Sequence, residues 1–261
     1  MSLLNQTVRA VIFDWAGTTI DFGSLAPVRT LQRVFREADL PITEEEARRD
    51  MGIAKRDHIE AILRAKGLEP SAADVDSLYQ RFIPLQFACL REYSQVIDGV
   101  PEITETLRHK GIKIGSTTGY TRAMLDILMQ EAGKQGYVPD CSFSPEDAGA
   151  GRPYPFMIYA AAVKMQVYPL SAVVKVGDTE SDISEGLNAG VWSVGVAATG
   201  NGVGLSEKEF LSLEAEERDQ KIAKARQRLV EAGAHYVIDT LAELTTVIED
   251  IELHLERKNT A

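Results

Sequence analysis

Four short stretches carry side chains suited to moving a phosphoryl group. Asp14 ends the apolar run 8–13 and is followed by Thr18; Ser116-Thr117-Thr118-Gly119 ends a second run; Gly151-Arg152-Pro153 precedes a helical pattern; Gly177-Asp178-Thr179-Glu180-Ser181-Asp182 follows a third. An aspartate can attack phosphorus and form an acyl phosphate, a hydroxyl and backbone N–H groups can hold phosphate oxygens, a cation can neutralise developing charge, and further acids can hold magnesium. Each residue alone has a plainer reading, as a helix cap, a satisfied turn or a partner for a surface acid. Their order and their placement at strand ends argue for one site.

The elements that must position these residues follow from periodicity. Runs 8–13, 112–117, 172–176 and 191–196 are short, apolar and suited to strands buried on both faces. They alternate with helical patterns at 122–131, 155–165 and 181–189, which predicts a doubly wound parallel sheet with its ligands beyond the carboxyl ends of the strands. Residues 22–100 look helical throughout, too long for a simple crossover, and are expected to form an inserted helical cap domain. The expected division is a core of residues 1–21 and 100–261 with a cap of residues 22–99, hinged near Gly23 and near Asp98-Gly99-Val100-Pro101. A charged helical run at 213–232, a short strand at 235–238 and a final helix should complete the core.

At 261 residues and 44% hydrophobic content the chain can bury a core domain plus a smaller insertion. A net charge of −11, with no basic block to offset it, argues against nucleic-acid or membrane partners. The acidic run Glu44-Glu45-Glu46 reads as the first turn of a helix, which Thr43 and Glu46 would open as a capping box. No stretch of about 18 apolar residues occurs, and the opening MSLLNQTVRA lacks the zones of a signal peptide, so a cytoplasmic protein is expected. Cys89 and Cys141 lack CxxC spacing and read as reduced thiols.

The fingerprint DxxxT, a threonine ending a later strand, a basic residue before a helix and GDxxxD, taken in order, resembles the haloacid dehalogenase superfamily over nearly the whole chain. That resemblance implies a haloacid dehalogenase-like core, Asp14 as nucleophile and Mg2+ ligand, Asp178 as a second ligand, and Asp182 as a ligand or outer support. It implies Thr118 and Gly119 as contacts to the phosphoryl group, and Arg152 where most of the superfamily has lysine. In its phosphatases and mutases the motif is usually DxD. Here Ala16 stands at the second position and offers only a backbone carbonyl for the metal, so an alkoxide leaving group has no general acid.

Lys55 supplies an alternative. On a helix expected to start near Thr43, Met51, Lys55, His58 and Ile62 share one stripe, opposite Arg56, Asp57, Glu60 and Arg64. By spacing alone Lys55 buries its stem and reaches water with its ammonium; a desolvated Lys55 would instead form a Schiff base with a carbonyl. The blocks FDWAGTT, MGxxKxDH, GSTTGYT, GRPYP and KVGDTxSD resemble the phosphonatase branch, with Ser24 where that pattern can carry cysteine. This resemblance implies cleavage of the carbon–phosphorus bond of phosphonoacetaldehyde, a small-molecule phosphonate, in 2-aminoethylphosphonate degradation. It also implies Lys55 as the imine former, His58 as a proton carrier, Met51 as a substrate contact, and a homodimer. The competing readings are a magnesium-dependent phosphatase or mutase of the same superfamily, and a phosphoacceptor module of receiver type. The length and the large insertion disfavour the latter.

Overall fold

The computed structural model describes residues 7–260; residues 1–6, where most of the leader reading falls, lie outside them. In chain order the elements are β1 (Ala10–Phe13), α1 (Leu25–Glu37), α2 (Glu44–Arg48), α3 (Lys55–Ala65), α4 (Ala72–Cys89), α5 (Val100–His109), β2 (Lys113–Thr117), α6 (Arg122–Gly133), β3 (Cys141–Phe143), α7 (Pro145–Ala148) and α8 (Phe156–Met165). They continue with β4 (Val173–Gly177), α9 (Glu180–Ala189), β5 (Trp192–Val196), α10 (Glu207–Ser212), α11 (Ala215–Glu231), β6 (Tyr236–Ile238) and α12 (Leu244–Thr260).

The strands form one parallel sheet in the order β3-β2-β1-β4-β5-β6. From β1 the chain works outward through β2 and β3, then returns to β4 beside β1 and works outward the other way. The switch point therefore lies beyond the carboxyl ends of β1 and β4, where a crevice opens in folds of this kind. Alternate residues of β1 serve opposite faces. Val11 and Phe13 pack with α5, α6 and α12 through residues such as Leu107, Leu128 and Ile248, while Ala10 and Ile12 pack with α8 through Ile158, Ala161 and Met165. Among the described residues no helix is long and apolar enough to cross a membrane.

Between β1 and β2 stand α1 to α4 of the insertion, then α5 against the sheet. α4 packs against α1 and α3, burying Leu31, Val34, Phe35, Ile59, Ile62 and Phe82. The Thr43–Glu46 capping box forms, with Thr43 Oγ1 accepting from Glu46 N–H at 3.1 Å and Glu46 Oε2 accepting from Thr43 N–H at 2.7 Å. The single helix expected from Thr43 is two helices. α2 stops at Arg48, and the chain turns through Gly52 at φ +94° before α3 starts at Lys55. Met51 accordingly lies on the turn, not on the helical stripe. The expected helical run 213–232 is α11, whereas the three-residue strand β3 and the six-residue helix α10 have too few residues to show a period.

The turn at Gly52 is set by contact with the core. A Cβ on Gly52 would run into Ser181 Oγ and Thr179 Oγ1, and Ser181 Oγ donates to the Met51 carbonyl at 2.9 Å. Gly67 has a similar φ, +78°, with open space where its Cβ would go. Gly67→Ala is therefore expected to cost only the backbone penalty, about 1 kcal/mol, and Gly52→Ala clearly more. Urea unfolding of the two variants compares them directly; equal losses would show that the turn is not seated on the core.

Candidate active site

Asp14 is the first residue past β1, and its N–H still donates to the Val176 carbonyl of β4 at 2.9 Å, so the ladder itself holds its Cα in place. Its buried carboxylate meets Arg152, with Oδ1 2.6 Å from Nη2. Every face of that guanidinium is engaged. Nε donates to Glu185 Oε2 at 2.9 Å, Nη2 to the Thr117 carbonyl at 2.9 Å, and Nη1 to the Gly52 carbonyl at 3.2 Å. Lys175, the middle residue of β4, reaches Asp182 Oδ1 at 2.9 Å, Glu185 Oε2 at 3.3 Å and Thr117 Oγ1 at 2.9 Å. α9 presents Asp182 and Glu185 one turn apart to receive these cations.

Asp182 is committed on both oxygens. Oδ2 accepts from Thr179 N–H at 3.2 Å and Oγ1 at 2.5 Å, closing the N-terminal capping box of α9, while Oδ1 makes ion contacts, unaligned for hydrogen bonding, with Lys175 and with Arg152 at 3.0 Å. Burial works against its charge, but Arg152 and Lys175 hold it below the usual carboxylate range. Asp178 is different. It accepts from Thr18 Oγ1 at 3.1 Å and Asn201 N–H at 2.7 Å, and no described cation lies in ion-pair contact with it. Burial pushes its pKa well up, and the neighbouring Asp14 and Asp182 push the same way; burial also raises Asp14, against the pull of Arg152.

Oxygen atoms of Asp14, Asp178 and Asp182 lie within 4.8 Å of one another. Four buried carboxyl groups thus face two cations in direct contact, and the surplus falls on Asp14 and Asp178. Ala16 lines the same cavity as Asp14, and its carbonyl accepts no hydrogen bond among the described residues. A cluster of hard oxygen donors that is short of positive charge fits a divalent cation.

Lys55 begins α3 and is 5% exposed, so the reading in which its ammonium reaches water does not hold. Nζ lies 3.6 Å from Met51 Sδ and 5.7 Å from the centre of the Tyr120 ring. Burial lowers its pKa to about 8, the charge of Asp14 opposing the shift. About a tenth of the amine is then neutral at pH 7. His58, one turn along, is fully buried with no aligned hydrogen bond to either ring nitrogen; burial, then the Lys55 charge, hold its pKa well below the usual value, which favours the neutral imidazole.

Asp14, Ala16, Met51, Lys55, Thr118, Gly119 and Arg152 all line one cavity of about 20 Å³, with Ser24 and Tyr120. His58, Asp178 and Asp182 do not line it. Thr118 Oγ1 accepts from Tyr120 N–H at 3.2 Å, and Gly119 sits so close to the Gly52 and Ile53 carbonyls that a Cβ would collide with both. Tyr120, Lys175 and Glu185 escaped the sequence reading as site residues. Lys175 carried a usable signal, a lysine in the centre of an apolar strand, and Glu185 lies three residues after Asp182 on the same helical face. Trp15 donates to Ser116 Oγ at 2.9 Å and meets Tyr137 edge-on, a packing role, while Tyr154 is exposed and Tyr159 borderline. Asp21 caps α1, its carboxylate accepting from Leu25 N–H at 3.1 Å and Ala26 N–H at 3.0 Å.

A family model described as haloacid dehalogenase-like hydrolase matches residues 8–190. A phosphonoacetaldehyde hydrolase of Bacillus cytotoxicus is 48% identical over 255 residues, 94% of this chain and 97% of that one. One from Bacillus cereus is 46% identical over the same shares. Among solved structures, a phosphonoacetaldehyde hydrolase-like protein from Oleispira antarctica has a TM-score of 0.93 at 39% identity, covering 98% of this chain and 97% of its own. A hydrolase from Pseudomonas syringae, at TM-score 0.73 and 17% identity, shares the fold.

Burial raises the Asp21 pKa to about 7, against the pull of the α1 N–H groups. Between about pH 4 and 7 the folded chain then holds a proton that the unfolded chain has lost, so the stability Asp21 contributes falls as pH rises through that window and is level above it. Asp21→Asn should remove this slope. Urea midpoints of parent and variant across pH 5 to 8 measure it, and a pH-independent offset between them would contradict the assignment.

Proposed function

The chain belongs to the phosphonoacetaldehyde hydrolases within the haloacid dehalogenase-like hydrolase family, and on that footing we propose that it cleaves phosphonoacetaldehyde to acetaldehyde and phosphate. One observation carries the reading: a buried lysine with a pKa of about 8 shares a cavity with the strand-end aspartate, while the position that would hold a general acid for an alkoxide is Ala16. That arrangement suits a carbon leaving group activated by an imine.

In the proposed series of steps the neutral Lys55 amine condenses with the aldehyde, takes up one proton from solvent and releases water to leave a protonated imine. Asp14 attacks phosphorus, the carbon–phosphorus bond breaks, and its electron pair moves into the imine to give an enamine and an aspartyl phosphate. Protonation of the enamine carbon and hydrolysis of the imine return Lys55 and release acetaldehyde; water hydrolyses the acyl phosphate and returns Asp14. His58 is the candidate for moving the protons of imine formation and enamine protonation, through water or the Lys55 amine, because it does not line the cavity itself. Arg152 and Thr118 hold phosphonate oxygens, Arg152 through its planar fork. Mg2+, which the Asp14–Asp178 pair with the Ala16 carbonyl would hold, supplies charge neutralisation at the phosphonate when bound. Asp182, fixed by Arg152, Lys175 and Thr179, serves as outer support.

Residues 22–99 act in this reading as a cap on a core of residues 1–21 and 100–261. A cavity of about 20 Å³ has room for little more than one water. Substrate therefore enters when the cap swings out at Gly23 and Gly99, and closure brings Lys55 to Asp14 and excludes water. The same reading takes in a cytoplasmic homodimer acting in phosphonate degradation. Borohydride added with phosphonoacetaldehyde should attach the carbon fragment to Lys55, and Lys55→Arg should abolish labelling and lower kcat at least about a hundredfold. Labelling of the parent should climb with pH and level off above about 8, as the amine loses its proton. A Lys55→Arg variant that is still labelled and still active would end the Schiff-base role.

A further inference from the structure

We infer that Arg48 and Asn201 form a clasp through which closure of the inserted helices and cation binding at Asp178 strengthen one another. The inference rests on the cap and the cation site proposed above. Arg48 is the last residue of α2, and its buried guanidinium reaches the hinge and, across from the insertion, the core. Nη1 donates to the Gly23 carbonyl at 2.8 Å and to Asn201 Oδ1 at 3.1 Å, and Nη2 donates to the Gly204 carbonyl at 2.8 Å. Of these three acceptors Asn201 and Gly204 belong to the core and Gly23 to the hinge, and the fork is steadied from its own helix by Glu44, 2.8 Å from Nε. A Cβ on Gly204 would occupy the place of the guanidinium, so the loop after β5 leaves room for it.

Asn201 faces two ways. Its side chain takes the hydrogen bond from Arg48 and returns one from Nδ2 to the Arg48 carbonyl at 3.0 Å, while its backbone N–H donates to Asp178 Oδ2 at 2.7 Å. The same loop braces the first strand end and the junction into the insertion, since Thr199 Oγ1 donates to the Gly17 carbonyl at 2.8 Å and Gly23 N–H to the Thr199 carbonyl at 2.7 Å. The other contacts of this turn with the core, Ser181 to Met51 and Arg152 to Gly52, do not pass through Asp178. When the insertion swings out, Arg48 leaves Asn201, and the N–H that steadies Asp178 loses its anchor. A cation that binds Asp178 best when it is held then favours closure, and closure favours the cation by the same factor. Arg48 is a positioning residue: it touches no reacting atom and acts through Asn201.

Calorimetric titration of Mg2+ into the full chain tests this, using the parent, Asn201→Ala, Arg48→Lys and the double variant. Loss of a partner behind a metal ligand commonly weakens binding by about 10- to 100-fold. Each single variant is expected to weaken Mg2+ binding about tenfold, and the double variant no further, because both break one clasp. Amide exchange of residues 44–48 should slow when Mg2+ is added to the parent and not in either variant. Folded variants that bind Mg2+ as the parent does, or single effects that add in the double, would overturn the clasp. Should Arg48→Lys fail to fold, Asn201→Ala, which keeps the backbone N–H, decides alone. A parent that binds no Mg2+ overturns the cation site itself and the clasp with it, an outcome distinct from unchanged variants.

Discussion

Arg152 lies inside the protein with its charge shared among Asp14, Asp182 and Glu185. Much of the architecture follows from the need to place that cation there. A group of buried carboxyl groups cannot keep its charge without cations set among them, and such ion clusters add little net stability compared with apolar packing. Their use is in position. The parallel ladder fixes Asp14 and Lys175, α9 turns Asp182 and Glu185 toward them, and the Arg152 fork closes the set by reaching the carbonyl of Gly52 in the insertion. One guanidinium thus registers the strand-end aspartate, the helix beyond β4 and the turn before Lys55.

The two side chains proposed to react are tuned in different ways. Asp14 sits at the edge of an ion cluster and owes its behaviour to neighbours of both signs. Lys55 has no ion-pair partner among the described residues and owes its lowered pKa chiefly to burial beside Met51 and Tyr120. In the proposed mechanism the nucleophile acts charged and is placed among charges, and the amine acts neutral and is placed among apolar and aromatic groups. Ala16 is consistent with this division, since a second aspartate in the cavity would stabilise the ammonium form of Lys55.

Much of this was legible in the sequence. The strands were readable because a sheet covered on both faces demands continuous apolar runs, and the motifs because each stands where such a run stops. The helical insertion was readable from the lack of any strand pattern over its length. The break between α2 and α3 was not, because its cause lies in Thr179 and Ser181, far along the chain, which claim the space beside Gly52. Spacing likewise left Lys55 undecided between a surface and a buried amine, since its burial is made by Tyr120 and by a turn that periodicity does not reveal. Arg48 and Asn201 stayed hidden for the same reason: the contacts that join them lie 153 residues apart in the chain.

In the proposed mechanism the buried lysine and the strand-end aspartate act together on a carbon–phosphorus bond. Its most direct test is to measure phosphate and acetaldehyde released from phosphonoacetaldehyde, with and without Mg2+. Equal amounts of both products, lost on chelation and restored by Mg2+, are the result expected. Release of phosphate from phosphate monoesters with no acetaldehyde from phosphonoacetaldehyde would contradict it and return the site to an ordinary phosphatase.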